Sequence, residues 1–266
     1  MTGHVLSGGM ANAGAVVRRG SVVERPAQPH AAAIHTHLRA LAAHGFDGVP
    51  TPMGTTADGS REQLSYVHGD VPVPPHPPWA WTDDALRSVG ALLRQMHRAA
   101  ASAPIDRAVP WPTELADPEG PEAAEGAEVP LLCHNDVCLE NVVFRDGRAY
   151  ALIDFDQAAP GRPVWDVAMT ARYWVTTSGR EGLDRPHRLS VLADAYGLGP
   201  RGRAALPGVI EQATAVCRAF VARRVAGGDA VYVRALEQGG GWARWDRHQD
   251  MLVAQREAFA AALAAT

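Results

Sequence analysis

Short β-branched runs separated by turn residues open the chain. Residues 16–17 and 22–23 are paired valines, and Gly20 with Ser21 between them predicts a β-hairpin. Residues 31–44 are rich in Ala and carry Ile and Leu at helical spacing, which predicts an amphipathic helix. The beginning of the chain is therefore predicted to combine one helix with a small sheet.

Proline and glycine divide the stretch that follows. Pro50, Pro52 and Gly54 predict a loop, and the QLSYV sequence of residues 63–67 predicts a strand. Residues 72–78 read PVPPHPP. Because proline fits neither the interior of a helix nor a regular strand ladder, this segment predicts a connector between two parts of the molecule.

The rest of the chain is mainly helical in pattern, with one hairpin inside it. Thr82 precedes apolar side chains at i, i+3, i+4 spacing that continue to about residue 100, so a helix is predicted there. Asp146 and Gly147 separate the apolar runs 141–144 and 149–155, which is a strong hairpin signal. From about residue 164 onwards the pattern is helical, with glycine-containing breaks.

These elements predict an α+β fold with two lobes. We expect a small β-rich N-terminal lobe over residues 1–70, a proline-rich connector over residues 71–80, and a larger, mostly helical C-terminal lobe over residues 81–266. A chain of 266 residues that is 47% hydrophobic is long and apolar enough to bury a substantial core.

Composition narrows the function mainly by exclusion. A net charge of −4 argues against a dominant nucleic-acid-binding surface, and no apolar run approaches the roughly 20 residues that cross a bilayer. The N-terminus lacks the pattern of a signal peptide, and three Cys are too few for a disulfide scaffold, so we expect a cytoplasmic protein. We further expect it to be a monomer or a homodimer. Every one of the 25 basic residues is Arg, which excludes a lysine Schiff base and a Walker lysine.

Acidic and amide side chains gather around the central hairpin. His134, Asp136 and Asn141 precede it, and Asp154 and Asp156 follow it. Because a hairpin returns the chain to its starting point, we expect Asp154 to lie near Asp136 and Asn141. Carboxylate and amide oxygens suit a hard divalent cation, whereas carboxylates packed together without one repel each other. Asx turns would be a simpler explanation, but the full spacing and the second aspartate pair argue against it.

The spacing H-x-D-x-x-x-x-N followed by D-F-D is that of the protein-kinase catalytic loop and its metal-binding aspartate. The stretch resembles more closely the aminoglycoside phosphotransferase family, which shares its architecture with choline and homoserine kinases. The resemblance is carried by His134-Asn135-Asp136, Asn141, Ile153-Asp154-Phe155-Asp156 and Trp165-Asp166-Val167-Ala168, and more weakly by residues 65–69 and 93–97.

The resemblance implies a protein-kinase-like fold and a Mg²⁺-dependent transfer of the γ-phosphate of ATP or GTP to a hydroxyl. The implied acceptor is a small metabolite or antibiotic, with aminoglycosides as the namesake of the family. By resemblance, Asp136 is the catalytic residue that receives or orients the acceptor hydroxyl, and His134 braces its loop. Asn141 and Asp154 would hold Mg²⁺, and Asp156 could assist a second metal ion.

Further roles follow from the same resemblance. Asp166 would hold the catalytic loop by hydrogen bonds from the start of a helix. Ser65, Tyr66 and Val67 lie in the segment similar to the hinge between lobes and are candidates for nucleotide contacts, as is Arg25 for the phosphates.

The sequence departs from the family pattern at two positions, the basic residue that binds the nucleotide phosphates and the acidic residue that pairs with it. The family supplies a Lys to the nucleotide phosphates and a helix Glu that pairs with it, but this chain has no Lys, and residues 31–44 contain no acidic residue. In the register of the V-x-R-x-P pattern of relatives, Glu24 takes the position of the cation. Arg25 would then face the opposite side unless the strand bulges or slips, and Arg18 and Arg19 are further candidates.

The missing Lys and Glu leave a second hypothesis open, a catalytically degenerate kinase-like protein that binds a small molecule or partner without phosphoryl transfer. Asp136, Asn141 and Asp154 oppose it, because a binding module needs no such metal site. A third hypothesis keeps the metal site for other chemistry on a phosphorylated ligand. The three histidines within residues 30–37 could form a transition-metal cluster, but ordinary helical positions are the simpler explanation.

Overall fold

The N-terminal part of the protein is a five-stranded antiparallel sheet with one helix. The computed structural model describes residues 3–6, 14–120, 130–177 and 182–265. The strands lie in the order β1-β2-β3-β5-β4. Their bounds are β1 (His4–Val5), β2 (Val17–Arg19), β3 (Val22–Pro26), β4 (Pro52–Thr55) and β5 (Arg61–Ser65), and α1 (Ala31–Ala43) connects β3 to β4.

The structure confirms the predicted first hairpin and first helix, whereas the prediction of a loop around Pro52 is wrong. β2 and β3 pair around Gly20, whose φ of 64° glycine adopts without steric cost. Pro52 begins the edge strand β4, and the register shifts between Pro52 and Gly54. An edge strand tolerates proline because one side of its ladder is unpaired. β5 ends at Ser65, two residues earlier than the predicted strand.

The C-terminal part surrounds two small sheets with helices. A short 3₁₀ turn (Pro78–Trp81) precedes the long helix α2 (Asp83–Ala100). β6 (Leu131–Cys133) pairs with β9 (Ala159–Gly161), and β7 (Val142–Arg145) pairs with β8 (Arg148–Leu152). The helices that follow are α3 (Pro163–Trp174), α4 (Arg185–Tyr196), α5 (Pro200–Ala226), α6 (Ala230–Gln238) and α7 (Gly241–Ala264).

Local sequence explains where these elements begin and turn. The Thr82 hydroxyl accepts the backbone N–H of Ala85 at 3.2 Å and caps α2. Asp146 and Gly147 have φ values of 50° and 73°, the conformation that suits the twist of a two-residue hairpin. The helix at Thr82 and the central hairpin are therefore confirmed, although β8 ends at Leu152 rather than at Phe155.

A single hydrophobic core connects the two parts. α2 packs against α4, and both α3 and α7 pack against α5. The core contains Leu38 and Leu64 from the N-terminal part together with Leu93, Leu152 and Trp165 from the C-terminal part. Within the described ranges, none of the helices combines the length and the apolar character needed to cross a membrane.

Backbone hydrogen bonds attach the β7–β8 hairpin to the N-terminal part. Asp70 and Phe144 exchange two hydrogen bonds of 2.8 Å, and the Leu152 N–H donates to the Gly48 carbonyl at 2.9 Å. The hairpin therefore delivers Asp154 to the boundary between the two parts.

Candidate active site

Asp166 anchors the loop that follows β6. It is fully buried in the first part of α3, and its oxygens accept the backbone N–H groups of His134 at 2.7 Å and Asn135 at 2.9 Å. His97 of α2 contacts the same carboxylate at 3.0 Å through Nε2, and the Tyr196 hydroxyl lies 2.8 Å from His97 Nδ1 in a hydrogen bond. Burial alone would raise the pKa of Asp166, but these hydrogen bonds and the nearby histidines lower it, so the carboxylate stays charged.

His134 and Asn135 fix the shape of this loop. His134 Nε2 donates to the Ile153 carbonyl at 3.0 Å, and its Nδ1 accepts the N–H of Asp136 at 3.3 Å. Asn135 has a φ of 63°, and its amide donates to the Gln157 carbonyl at 2.9 Å. Asn is among the few residues besides Gly that adopt this left-handed conformation readily, which explains its presence here.

Asp136 follows on this loop with both carboxylate oxygens in hydrogen bonds. Oδ1 accepts the Tyr173 hydroxyl at 2.7 Å, and Oδ2 accepts the Asn141 amide at 3.1 Å. Because the nitrogen of Asn141 faces Asp136, the amide oxygen is the atom that remains for a cation. Burial raises the pKa of Asp136, against the opposing effect of the Tyr173 hydroxyl. A carboxylate with a raised pKa is well suited to accept a proton.

Arg25 joins the aspartates that follow β8 to the N-terminal sheet. Its Nη1 lies 2.7 Å from Asp154 Oδ1, its Nη2 lies 2.6 Å from Asp156 Oδ1, and its Nε lies 2.7 Å from Glu62 Oε1. The Arg25 side chain is only 8% exposed. Burial would lower the pKa of Arg25, but the three carboxylates raise it, so the guanidinium remains a fixed positive charge.

The expected register of β3 is wrong. Arg25 lies opposite Glu62 in the sheet, whereas Glu24 lies on the other face near Arg19 and Arg61. The pairing of β3 with β5 is continuous through these positions, so neither a bulge nor a slip is required. Arg25, not Glu24, therefore carries the positive charge into the site.

The acidic partner of Arg25 comes from a strand rather than from the helix. Glu62 of β5 is 1% exposed, and its second oxygen accepts Nε2 of His35 from α1 at 2.7 Å. His30 Nε2 lies 3.0 Å from the Asp156 carbonyl. His35 and His30 therefore contact different residues. Within the part of the chain that is described, the histidines of α1 and its cap form no metal-binding cluster.

Cys133 lies close to His97 and Asp166 in a fully buried group with metal-like spacing. Burial raises the pKa of Cys133 well above its usual range, which keeps the thiol protonated. The carboxylate of Asp166 is already occupied by backbone N–H groups. We therefore interpret this group as a hydrogen-bonded part of the core.

A cleft of about 160 Å³ lies beside Arg25. Its walls include aliphatic side chains from both parts of the protein, among them Val16, Val23, Leu64 and Ile153. Of the ten side chains predicted for the site, it contains Arg25, Ser65, Tyr66, Val67, Asn141 and Asp154. A larger cavity of about 590 Å³ lies against β9 and α5 and contains none of the ten.

The remaining predicted residues connect to this cleft through hydrogen bonds. Asp136 is bonded to Asn141, and Asp156 to Arg25. The sequence did not point to four side chains that complete the arrangement, Glu62, His35, His97 and Tyr173. Tyr173 had one signal, since it follows Asp166 by seven positions and so lies on the same face of α3.

Comparison with known proteins identifies the family. A family model described as "Phosphotransferase enzyme family" matches residues 9–207, which include strands β2 to β5, the loop that carries Asp136, and the aspartates Asp154, Asp156 and Asp166. The chain belongs to this family. It is accordingly a phosphotransferase, a kinase whose acceptor is an alcohol group.

Individual relatives agree with this assignment. The chain is 33% identical over 200 residues to a trifolitoxin immunity protein of Rhizobium leguminosarum bv. trifolii, covering 71% of this chain and 72% of that protein. A choline/ethanolamine kinase family protein from Mesorhizobium loti has a TM-score of 0.68 at 16% identity, over 99% of this chain and 92% of the other. An amicoumacin kinase in complex with AMP-PNP, Ca²⁺ and Ami has a TM-score of 0.65 at 13% identity, over 94% and 88%. The fold is therefore protein-kinase-like, as expected.

Proposed function

We propose that this phosphotransferase moves the γ-phosphate of ATP or GTP, with Mg²⁺, to a hydroxyl of a small metabolite or an antibiotic of the aminoglycoside kind. One observation carries the proposal: Arg25 is ion-paired with Asp154 at the end of an apolar cleft. An apolar slot for a base, a fixed cation for phosphates and carboxylates for a metal are the three elements that nucleotide-dependent phosphoryl transfer requires.

The donor set fits Mg²⁺, which prefers oxygen ligands. The amide oxygen of Asn141 and the carboxylates of Asp154 and Asp156 would hold it. Arg25 contacts Oδ1 of Asp154, so Oδ2 of the same carboxylate can still act as a ligand. The metal would supply neutralisation of the phosphate charge.

The residues of the chain then have distinct tasks. Asp136 accepts the proton of the acceptor hydroxyl, and Arg25 provides positive charge beside the phosphates. Ser65, Tyr66 and Val67 line the slot for the base. Asp166 and His134 hold the Asp136 loop in place through their hydrogen bonds. Positioning and charge neutralisation of this kind supply most of the catalysis in phosphoryl transfer.

The names of the relatives favour an antimicrobial acceptor. The immunity protein shares 33% identity with this chain, and the amicoumacin kinase shares its fold. We propose that the enzyme protects its host by phosphorylating a hydroxylated antimicrobial molecule. It would act in the cytoplasm as a monomer or homodimer, without a nucleic-acid or membrane partner, with nucleotide bound between an N-terminal lobe (residues 1–70) and a C-terminal lobe (residues 81–266) that the connector (residues 71–80) joins.

Calorimetry tests the nucleotide half of this proposal. We expect wild-type protein to bind ATP or GTP only when Mg²⁺ is present, and Asp154→Ala to abolish the binding. A matched control is Asp84→Ala, which changes an aspartate in the first turn of α2 whose side chain is 91% exposed. If neither nucleotide binds at millimolar concentration, the protein is a ligand-binding relative without kinase activity, as in the second hypothesis.

Growth inhibition tests the acceptor half. Cells that produce the wild-type enzyme should tolerate an antimicrobial from a panel of hydroxylated compounds, and cells that produce Asp136→Asn should not. The modified compound should gain the mass of one phosphoryl group. Equal protection by the wild type and Asp136→Asn would show that the protein protects by binding alone.

A further inference from the structure

Besides Asp166, two further side chains of α3 bond to the loop that carries Asp136. Trp174 Nε1 donates to the Val137 carbonyl at 2.9 Å, and the other side chain, Tyr173, reaches the Asp136 carboxylate itself. Its hydroxyl donates to Asp136 Oδ1 at 2.7 Å. This distance is typical of a charge-assisted hydrogen bond between a hydroxyl and a carboxylate. Tyr173 is not among the residues that line the cleft beside Arg25.

The contact controls the orientation of the carboxylate. Asn141 holds Oδ2 of Asp136 from the turn before β7, and Tyr173 holds Oδ1 from α3. Two donors on different elements leave the carboxylate little freedom to rotate. In-line transfer is sensitive to such orientation, because a small misplacement of the group beside the acceptor costs a large part of the rate.

The surroundings keep Tyr173 itself in place and protonated. The guanidinium of Arg172 lies 4.4 Å from the centre of the phenol ring. Burial raises the pKa of Tyr173 well above its usual range, and the neighbouring Asp136 raises it further. The phenol therefore stays protonated at neutral pH and can donate its hydrogen bond.

We infer that Tyr173 is a positioning residue of the phosphoryl transfer, which aims Asp136 at the acceptor hydroxyl. The inference rests on the proposed function, since it assigns Tyr173 a role only if Asp136 is the catalytic base. If Tyr173 only packed against its neighbours, the ring would be needed and the hydroxyl would not. Removal of the hydroxyl alone therefore lowers activity under the positioning interpretation and leaves it unchanged under the packing interpretation.

The experiment is a double-mutant cycle with water as the acceptor, because slow hydrolysis of Mg·ATP or Mg·GTP needs no identified substrate. Tyr173→Phe removes one oxygen and keeps the ring. We expect kcat for hydrolysis to fall roughly 10- to 100-fold, the loss of one hydrogen bond to a charged group, with KM for the nucleotide unchanged. Asp136→Asn should also lower kcat, and Tyr173→Phe in the Asp136→Asn background should have no further effect.

A matched control and three outcomes make the test decisive. Tyr150→Phe removes the hydroxyl of a tyrosine of β8 that is 39% exposed and lies outside the site, and it should match the wild type. An unchanged kcat in Tyr173→Phe, or the same loss in the wild-type and Asp136→Asn backgrounds, would overturn the positioning role alone. Wild-type protein that neither binds nor hydrolyses either nucleotide would overturn the proposed function and this inference with it.

Discussion

Arg25 is the residue on which the site depends most. Three carboxylates surround one guanidinium, and Glu62 among them is 1% exposed. Desolvation of several charges is expensive, so the fully buried Glu62 in particular depends on the guanidinium that balances its charge. The same arrangement places a positive charge that cannot be titrated beside the predicted metal ligands.

Replacement of Arg25 by Ala should therefore be costly. We expect the free energy of unfolding to fall by about 3 kcal/mol, because the buried Glu62 loses the guanidinium that balances its charge and keeps only the His35 contact. Urea denaturation measures the loss. Arg19→Ala is the control, since Arg19 is half exposed and lies 3.7 Å from Glu24, and it should change stability by less than about 1 kcal/mol. Equal effects of the two substitutions would contradict the importance of the buried group.

His37 gives stability a pH dependence. Burial lowers the pKa of His37 from 6.5 to about 4, and its Nε2 has no hydrogen-bond partner among the described residues. As pH falls below 6.5, His37 becomes protonated in the unfolded chain but stays neutral in the folded protein. The free energy of unfolding therefore declines until pH reaches about 4, where His37 is also protonated in the folded protein. Over that range the loss amounts to about 3 kcal/mol.

His37→Leu should remove this dependence. We expect unfolding by urea at pH 7, 6 and 5 to show a smaller decline in free energy for His37→Leu than for the wild type. His44→Leu replaces an exposed histidine at the end of the same helix and should retain the wild-type decline. If the free energy of unfolding of His37→Leu declines with pH as steeply as that of the wild type, the pKa of His37 is not lowered in the folded protein.

How far the sequence predicts these residues depends on the distance over which they act. Asp136, Asn141 and Asp154 could be found because a hairpin brings them together and their spacing is local. Glu62 and His35 could not, because their contacts with Arg25 and with each other depend on how β5 and α1 pack beside β3. The predicted register of β3 was wrong for a related reason. The two-residue alternation of a strand predicts that Glu24 and Arg25 face opposite sides of the sheet, but it does not predict which of the two sides faces the site.

At the level of elements, the loop that carries Asp136 is held by side chains of α3 and α2. Asp166 of α3 receives two backbone N–H groups of the loop, and His97 of α2 contacts the same carboxylate. Backbone groups in a buried loop need such partners, since this loop between β6 and β7 makes few ladder hydrogen bonds. The helix start therefore replaces a sheet as the support of the loop.

Asp166→Asn tests this support. An amide has one acceptor oxygen instead of two and presents an N–H₂ group to donors, so at least one loop N–H loses its partner. We expect a loss of about 3 kcal/mol in the free energy of unfolding and a large fall in kcat. Asp184→Asn is the matched control, because Asp184 is the cap of α4 and Asn caps as well as Asp. An Asp166→Asn enzyme with normal stability and kcat would show that the loop holds its shape unaided.

Elements with strong local signals were predictable and those fixed by pairing were not. Asp146 and Gly147 determine the β7–β8 turn through their positive φ values, and Thr82 determines the start of α2. β4 has no such signal: Pro52 and Gly54 both disfavour a strand, and only the neighbouring β5 makes it one. Here the pairing with β5 outweighs the low intrinsic β-propensity of Pro52 and Gly54.

In the whole molecule, the cleft draws its lining from both parts of the chain. Val23, Arg25 and Leu64 belong to the N-terminal sheet, whereas Asn141 and Asp154 flank the β7–β8 hairpin. A ligand that fills the cleft contacts both parts at once. Binding energy is then available only in the folded arrangement, because the unfolded chain does not bring these residues together.

Mg²⁺ with nucleotide should therefore stabilise the entire protein. At a free ligand concentration 100 times Kd, we expect the free energy of unfolding to rise by about 2.7 kcal/mol. Urea denaturation with and without ligand measures this, and nucleotide without Mg²⁺ should give a much smaller rise. Asp154→Ala removes a predicted metal ligand whose side chain is about one-third exposed, so it should fold without ligand yet gain nothing from its addition. If Asp154→Ala gains as much stability as the wild type, the nucleotide binds elsewhere, and the Arg25–Asp154 pair has a structural role only.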